Sequence, residues 1–256
     1  GKDPKPYGAE SWQEVGTGAF LLAASEYVNY LRNPIKKHLI SFTKESLLYK
    51  NNFSSKDDLK SWVLEGDAEV IIKDNWLEMY STDEKSHHVF WCPKELPNSF
   101  MAEWEMQNLN LNAGLCIVFF SAKGINGLDV MHPSQKKRFG VFNQYTKSDI
   151  NNYHISYYTN NPKKPNRPFA HLRKNKGFIT VQYGDKGIDA NSNSIHKIRL
   201  VKKENHISMS IDNREIINWK DDGLKYGEPH TGGKFAFRQM QWSHFRYRNF
   251  KVWKIN

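Results

Sequence analysis

Histidine and tyrosine side chains alternate with apolar ones in the segment YHISYY, residues 153–158. Successive side chains of a β-strand point to opposite faces of its sheet. If Ile155 faces the interior, His154 and Tyr158 share the outward face. An imidazole and a phenol on one face are residue types suited to general acid–base chemistry.

Two further segments place cationic side chains by the same alternation. In FAHLRK, residues 169–174, His171 and Arg173 lie opposite Leu172, and in KFAFRQM, residues 234–240, Arg238 lies opposite Phe237. If these strands are neighbours, one groove holds histidine, tyrosine and arginine together.

A third segment, MAEWEMQ, adds carboxylates. Trp104 and Met106 predict the core face, so Glu103, Glu105 and Gln107 are expected on the polar face and in the same groove. A pair of carboxylates two residues apart could serve retaining glycoside hydrolysis. Gln107 stands where such enzymes usually carry a third acidic residue, which counts against hydrolysis. The alternative to a functional role is a structural ion network in which Arg173 and Arg238 pair with Glu103 or Glu105.

The residue set is better suited to β-elimination on a uronic acid. A base removes the C5 proton, an acid protonates the oxygen that leaves C4, and a cation neutralises the adjacent carboxylate. We assign His154 as base, Tyr158 as acid and Arg238 as neutraliser. The candidate substrate-binding residues are Arg173, His171, Gln239, Glu103, Glu105, Gln107 and His88.

The charge balance favours an anionic partner. Lys and Arg total 37 against 27 Asp and Glu, a net charge of +10, and an acidic oligosaccharide fits that excess as well as a solvated basic surface does. The sequence contains no nucleic-acid motif, no apolar run long enough to span a membrane, and no CxxC or HExxH metal signature. We therefore expect no nucleic acid, membrane, metal or cofactor to take part. Cys92 and Cys116 lie in apolar segments and are expected as buried free thiols.

The chain divides into two parts. Residues 12–31 are rich in apolar and small residues without strand alternation, which predicts a helix within an N-terminal segment, residues 1–45. Residues 46–256 contain many short strand patterns separated by turn residues, which predicts an all-β sandwich. The stretch HKIRLVKKENHISMSIDNREIINW reads as three strands joined by two tight turns.

Several of these segments resemble a known family. HVFWCPKELPNSFMAEWEMQNL, INNYHISYY, HLRKNKGF and FRQMQWSHFRYRNFKV are similar, in that order, to the YesU-type family of concanavalin A-like jelly rolls. This resemblance implies a jelly-roll β-sandwich over residues 46–256. It also implies a role among polysaccharide-utilisation proteins, in which one branch of the family is linked to dehydration of ulvan oligosaccharides.

The predicted helix carries a second resemblance. GTGAFLLAASE is similar to the closing helix of unsaturated uronyl hydrolases, which implies fusion to an upstream domain of that kind. A dehydratase forming a 4,5-unsaturated uronic acid at the non-reducing end would supply that domain's substrate. We expect such a carbon–oxygen lyase in a periplasmic or secreted location. The alternatives are a non-catalytic binding module for acidic glycans, or a glycoside hydrolase using Glu103 and Glu105.

Overall fold

The computed structural model describes residues 40–83, 86–161 and 169–256, and the predicted helix over residues 12–31 lies outside them. Nearly all of the described elements are strands, with one short helix, α1 (Asn143–Thr146), and one 3-10 turn (Lys56–Leu59). The strands are β1 (Lys44–Asn51), β2 (Val63–Gly66), β3 (Ala68–Lys73), β4 (Trp76–Ser81), β5 (His88–Leu96), β6 (Phe100–Asn108), β7 (Gly114–Gly124), β8 (Ile150–Asn160), β9 (Phe169–Asn175), β10 (Ile179–Lys186), β11 (Ile195–Lys203), β12 (His206–Ile211), β13 (Arg214–Lys220), β14 (Gly233–Gln239) and β15 (His244–Ile255).

The strands form two antiparallel sheets. The eight-stranded sheet has the order β13-β12-β11-β6-β15-β4-β3, with β1 also paired to β15. The seven-stranded sheet has the order β10-β9-β8-β7-β14-β5-β2. The predicted jelly-roll sandwich of antiparallel strands is confirmed.

The three-strand meander is confirmed as β11, β12 and β13, each paired with the next. Asp212 and Asn213 form the second tight turn with φ values of 51° and 66°. Two-residue hairpin turns favour such positive φ values, and Asp and Asn tolerate them better than most residues.

Aromatic side chains fill the interior between the sheets. Trp62 stacks on Phe90 and Phe237 with ring centroids 4.9 and 5.9 Å away, and Trp104 meets Phe237 edge-on at 5.7 Å. Much of the chain's aromatic content therefore belongs to the core, where such rings supply large buried apolar areas.

Cys92 and Cys116 are both buried and unbonded to one another. Burial raises the pKa of each thiol to about 12, because the thiolate is costly away from water. Neither sulfur is therefore a nucleophile at neutral pH.

Candidate functional site

The outward face of the seven-stranded sheet is partly covered by the chain between β7 and β8. Side chains of the sheet, among them Trp91, Phe119 and Ala236, form a second apolar cluster with Val130 and Tyr145 of this covering segment. The segment, residues 125–149, contains α1. A buried layer thus exists outside the sandwich core, and it positions polar side chains beside it.

Glu65, near the end of edge strand β2, anchors the covering segment. Its Oε1 accepts from Arg138 Nη2 at 2.8 Å, and its Oε2 accepts from Trp91 Nε1 and from the Tyr145 hydroxyl, each at 2.9 Å. Tyr145 in turn accepts a hydrogen bond from the backbone N–H of Gly140 at 3.0 Å. One carboxylate therefore ties the segment to the sheet through two of its residues, Arg138 and Tyr145, and also bonds Trp91 of the sheet.

Two arginines and a histidine meet two aromatic rings on this face. Arg238 Cζ lies 4.6 Å from the centroid of the Phe142 ring, and Arg173 Cζ lies 4.6 Å from that of Phe178. The His154 ring lies between them, 6.2 Å from Phe142 and 5.8 Å from Phe178, with Arg173 Nη1 3.4 Å from its Nε2. We call Phe142, His154, Arg173, Phe178 and Arg238 the basic niche.

Arg238 is wholly buried, and its charge has no carboxylate partner among residues 40–83, 86–161 and 169–256. Its Nη1 lies 2.9 Å from the sulfur of Met240 and its Nη2 donates to the Gly140 carbonyl at 3.4 Å. Its Nε has no hydrogen-bond partner in that part of the chain. Burial lowers the pKa of the guanidinium to about 10, so it remains a cation at neutral pH.

His87 lies next to Arg238, and the alternation of the sequence did not single it out. Its Nδ1 accepts from the backbone N–H of Gln241 at 3.2 Å. Burial, and then the charge of Arg238, lower its pKa to about 4. The covering segment approaches the His87 backbone closely at Gly140. Glycine is required there, because a Cβ would overlap the carbonyl oxygen of His87 and because φ is 81°. His87 is a neutral imidazole at the edge of the niche.

His171 and Arg173 share the outward face of β9, as predicted. His171 meets Tyr183 of β10 edge-on, with ring centroids 5.0 Å apart. Tyr183 is 76% exposed, which makes it the open aromatic surface beside the buried side chains. The binding roles predicted for His171 and Arg173 remain predictions.

The prediction that Tyr158 lies beside His154 in the groove is wrong. The pairing of β8 with β7 shifts between Ser156 and Tyr158, so one extra residue occupies β8 at that point. Such a β-bulge reverses the alternation beyond it. Tyr158 therefore points into the sandwich core, where its ring packs on Phe245 at 5.2 Å.

His88 and Gln239 are also interior residues. They are opposite one another across β5 and β14, and both are fully buried. Gln239 Nε2 donates to the Tyr247 hydroxyl at 3.1 Å, within the core. Burial lowers the pKa of His88 to about 3. The prediction that they contact substrate in the groove is therefore wrong. Both residues lie on strands of the seven-stranded sheet, but their side chains face the interior.

The three polar residues of β6 lie on the outer face of the other sheet. Arg248 Nε donates to Glu105 at 2.7 Å, Arg199 Nε donates to Glu103 at 2.8 Å, and Arg246 Nε donates to Gln107 at 2.7 Å. Glu103, Glu105 and Gln107 therefore belong to a structural network. Such a network was the alternative expected from the sequence, but with Arg173 and Arg238 as the arginines. The expectation that they share a groove with His154 is wrong, because β6 belongs to the eight-stranded sheet.

Within the described residues, no group of three or more His, Cys, Asp or Glu side chains could hold a metal ion. No helix there is long and apolar enough to cross a membrane.

Two comparisons concern a Bacillus subtilis relative. The chain is 34% identical over 215 residues to "Uncharacterized protein YesU" of strain 168, a match that covers 82% of this chain and 97% of that protein. It is also similar to a crystal structure of a B. subtilis protein of unknown function with a galectin-like fold. That match has 32% identity, a TM-score of 0.80, and coverage of 84% of this chain and 99% of the other.

More distant structures share the fold. The exoplasmic/lumenal domain of VIP36, in a form bound to Ca²⁺ and Man3GlcNAc, matches with a TM-score of 0.55 at 12% identity, covering 84% of this chain and 90% of that one. Peanut lectin matches with a TM-score of 0.52 at 12% identity, covering 85% and 99%. At this identity the likeness concerns the fold alone.

A family model fits residues 46–252, almost the whole region that the sequence predicts as a sandwich. That match, together with the B. subtilis relative, means that the chain belongs to the family described as "Domain of unknown function (DUF1961)".

Proposed function

We propose that the basic niche binds the anionic group of an acidic carbohydrate. The observation that carries this proposal is Arg238, a fully buried guanidinium without a carboxylate partner among the described residues. A buried charge is costly unless it is paired, and a guanidinium can hold a carboxylate or sulfate through two parallel hydrogen bonds. A bound anion would supply the missing partner.

The other polar groups at the niche also suit an anion. Arg173 brings a second cation, and the Nδ1 atom of neutral His87 is already occupied by a backbone N–H, so its Nε2 carries the proton. A set of hydrogen-bond donors selects a ligand group that only accepts, such as a carboxylate or a sulfate ester.

The aromatic residues and the fold support a sugar as the carrier of that anion. Phe142 and Phe178 are partly exposed and Tyr183 is 76% exposed, so apolar rings border the cationic groups where a sugar ring could stack. VIP36, with the same fold, was solved with Man3GlcNAc bound. The net charge of +10 would assist the approach of an anionic chain.

Calorimetric titration with uronic-acid oligosaccharides, ulvan-derived ones included, tests this function. We expect binding that weakens as salt is added, because dissolved ions screen the attraction between the arginines and the anionic group. Neutral gluco-oligosaccharides should show no comparable binding. Arg238→Met should lower the affinity at least about tenfold, as expected for a hydrogen-bonded charge pair.

Arg246→Met is the matched control, because it removes the same charge from the outer face of the other sheet, where Arg246 stacks on Trp76 at 4.4 Å. Its affinity should equal that of the unsubstituted protein. Equal affinity for neutral and acidic oligosaccharides, unaffected by salt or by Arg238→Met, would refute the proposal.

A second candidate function, elimination at the same niche, is favoured by the His154 imidazole, which lies beside the Arg173 guanidinium and shares the Phe142 ring with Arg238. Dehydration would break the C5–H and C4–O bonds, form the C4–C5 double bond and release water. Arg238 would neutralise the carboxylate next to C5, which acidifies the proton. Tyr158, which lies in the core, takes no part in this version.

Absorbance of the unsaturated uronide separates the two candidates. An increase on incubation with saturated uronic-acid oligosaccharides, lost in His154→Ala, would establish an eliminating enzyme. Binding by calorimetry without any increase in absorbance would leave a binding module.

A further inference from the structure

We propose that Ser192, His196 and Asp212 form a nucleophilic triad that takes the acyl group of a carboxylic ester. The three residues lie where β11 begins and β12 ends, at one end of the eight-stranded sheet. They belong neither to the basic niche nor to the covering segment. The proposal is therefore independent of carbohydrate binding at the niche.

Two strands of the meander bring the carboxylate to the histidine. Asp212 directly follows β12, and the antiparallel pairing with β11 places it opposite Lys197, the neighbour of His196. The Asp212 N–H donates to the Lys197 carbonyl at 2.8 Å, and Asp212 Oδ1 accepts from the Lys197 N–H at 2.8 Å. Asp212 Oδ2 lies 2.6 Å from His196 Nδ1. The backbone thus holds one carboxylate oxygen, and the other faces the imidazole. Asp212 is a positioning residue.

The imidazole and the serine complete the arrangement. A carboxylate only accepts hydrogen bonds, so His196 donates from Nδ1, and its neutral ring has a lone pair on Nε2. The Ser192 hydroxyl oxygen lies 2.7 Å from this Nε2. The hydroxyl therefore donates to a base that can take its proton, which is how an adjacent base activates a serine. A hydroxyl, an imidazole and a carboxylate in this order act as a catalytic triad on several unrelated folds.

A backbone donor lies next to the nucleophile. The Ser194 N–H donates to Ser192 Oγ at 3.3 Å, which is long for such a bond. When Oγ attacks a carbonyl carbon, this N–H can turn to the carbonyl oxygen, which then becomes negative. Donors aimed at that oxygen stabilise the transition state of acyl transfer.

The exposure of the triad indicates the class of substrate. The side chain of His196 is 16% exposed and that of Asp212 is 51% exposed, so solvent reaches both. Water screens the carboxylate and weakens its stabilisation of the imidazolium that forms in the reaction. An ester needs less assistance than an amide, because an alcohol leaves more easily than an amine. We therefore assign esters of small acyl groups, and not peptides, to this site.

The reaction is an acyl transfer in two steps. Ser192 Oγ forms a bond to the acyl carbon, and its proton passes to His196 Nε2. The bond between the acyl carbon and the alcohol oxygen breaks, and the alcohol leaves with that proton. Water then attacks the acyl-serine, with His196 again as base, and the carboxylic acid is released. Water is the only co-reactant.

Labelling with a fluorophosphonate tests the nucleophile directly. An activated serine oxygen forms a bond to phosphorus, the phosphorus–fluorine bond breaks and fluoride leaves. We expect peptide mass spectrometry to find the label on Ser192. Ser134 is the internal comparison: its Oγ lies 2.7 Å from His132 Nδ1, but His132 has no carboxylate partner among the described residues. Absence of label on Ser192, or equal labelling of both serines, overturns the proposal.

Substitutions separate a nucleophilic triad from three side chains that only hold the turn. The rate of labelling at Ser192 should fall at least about hundredfold in His196→Gln, because a general base contributes that much or more. Asp212→Asn should lower it less, since solvent screens this carboxylate. An unchanged rate in His196→Gln contradicts the triad. If a variant does not fold, the position of the label in the unsubstituted protein still decides.

Turnover of p-nitrophenyl acetate tests the acyl transfer itself. Release of p-nitrophenolate should fall at least about hundredfold in Ser192→Ala and stay unchanged in the matched control Ser134→Ala. An imidazole alone can also hydrolyse this ester in water, so Ser192→Ala distinguishes the two routes. Activity retained in Ser192→Ala would mean that no acyl-serine forms, and the proposal would fall.

Discussion

Arg138 and Arg238 are both buried at the outward face of the seven-stranded sheet, yet their electrostatic situations differ. Arg138 donates to both oxygens of Glu65, at 3.1 and 2.8 Å, and to the Val130 carbonyl at 2.7 Å. Arg238 instead contacts the Met240 sulfur, the Gly140 carbonyl at 3.4 Å and the Phe142 ring. The Arg138 guanidinium has its opposite charge within the fold, whereas the Arg238 guanidinium is buried without one among the described residues, a cost to stability that the proposed anion binding would offset.

The stability of matched variants measures this difference. Arg138→Met should lower the free energy of unfolding by about 3 kcal/mol, because it leaves a buried carboxylate without its cation. The free energy of unfolding of Arg238→Met should stay within about 1 kcal/mol of that of the unsubstituted protein or exceed it, because the change removes a buried charge that has no carboxylate partner among the residues that the structure describes. Urea unfolding provides both values. Equal losses in the two variants would show that Arg238 supports the fold as Arg138 does.

At the scale of single elements, strand β8 shows where alternation fails. The β-bulge next to Tyr158 changes which face this side chain occupies, while His154, before the bulge, keeps the predicted facing. Tyr158 instead joins two segments within the core: its hydroxyl accepts from Asn108 Nδ2 at 2.9 Å and donates to the Ala190 carbonyl at 3.0 Å.

Tyr158→Phe should therefore affect stability and leave ligand binding unchanged. Loss of the hydroxyl deprives the buried Asn108 amide and the partly buried Ala190 carbonyl of their partner, at a cost of about 1–3 kcal/mol in the free energy of unfolding. Affinity for uronic-acid oligosaccharides should equal that of the unsubstituted protein, since the hydroxyl faces away from the niche. Thermal or urea unfolding measures the first effect and calorimetry the second. A selective loss of affinity would mean that Tyr158 reaches the ligand after all.

The alternation of side chains along the strands predicted part of the candidate site correctly. Period-two alternation placed Arg173, His154 and Arg238 on one face, because regular strands on either side of a core leave no other choice. It could not say which of the two sheets takes β6, so Glu103 and Glu105 were assigned to the wrong face of the molecule. Glu65 lacked any local signal, since its role depends on Arg138, 73 residues away in the chain.

At the scale of the whole molecule, buried neutral histidines make the fold sensitive to acid. Burial lowers the pKa of His88 to about 3 and that of His230 to about 4, from the ordinary value of 6.5. Between about pH 6.5 and 4 the unfolded chain thus binds more protons than the folded one. The contribution of these two histidines to the free energy of unfolding is therefore fully present above pH 6.5, and it is lost as the pH decreases through this range.

We expect the urea midpoint to fall steadily from pH 7 to pH 4. His88→Gln should flatten this dependence, because Gln has no proton to gain, whereas the exposed His132→Gln should keep it. Urea titrations at several pH values check both. A midpoint independent of pH over this range would mean that these imidazoles titrate alike in the folded and unfolded chain.

Strand β15 follows the other fourteen described strands, yet it occupies an inner position of the eight-stranded sheet. Its first half pairs with β4, its second half with β1, and its other edge with β6. During synthesis on the ribosome, the edges of β4, β1 and β6 that pair with β15 therefore stay open until β15 has emerged. Pairing over such long sequence separations is slow, and open strand edges invite association between chains. A nascent chain stalled before β15 would accordingly be a natural client for chaperones.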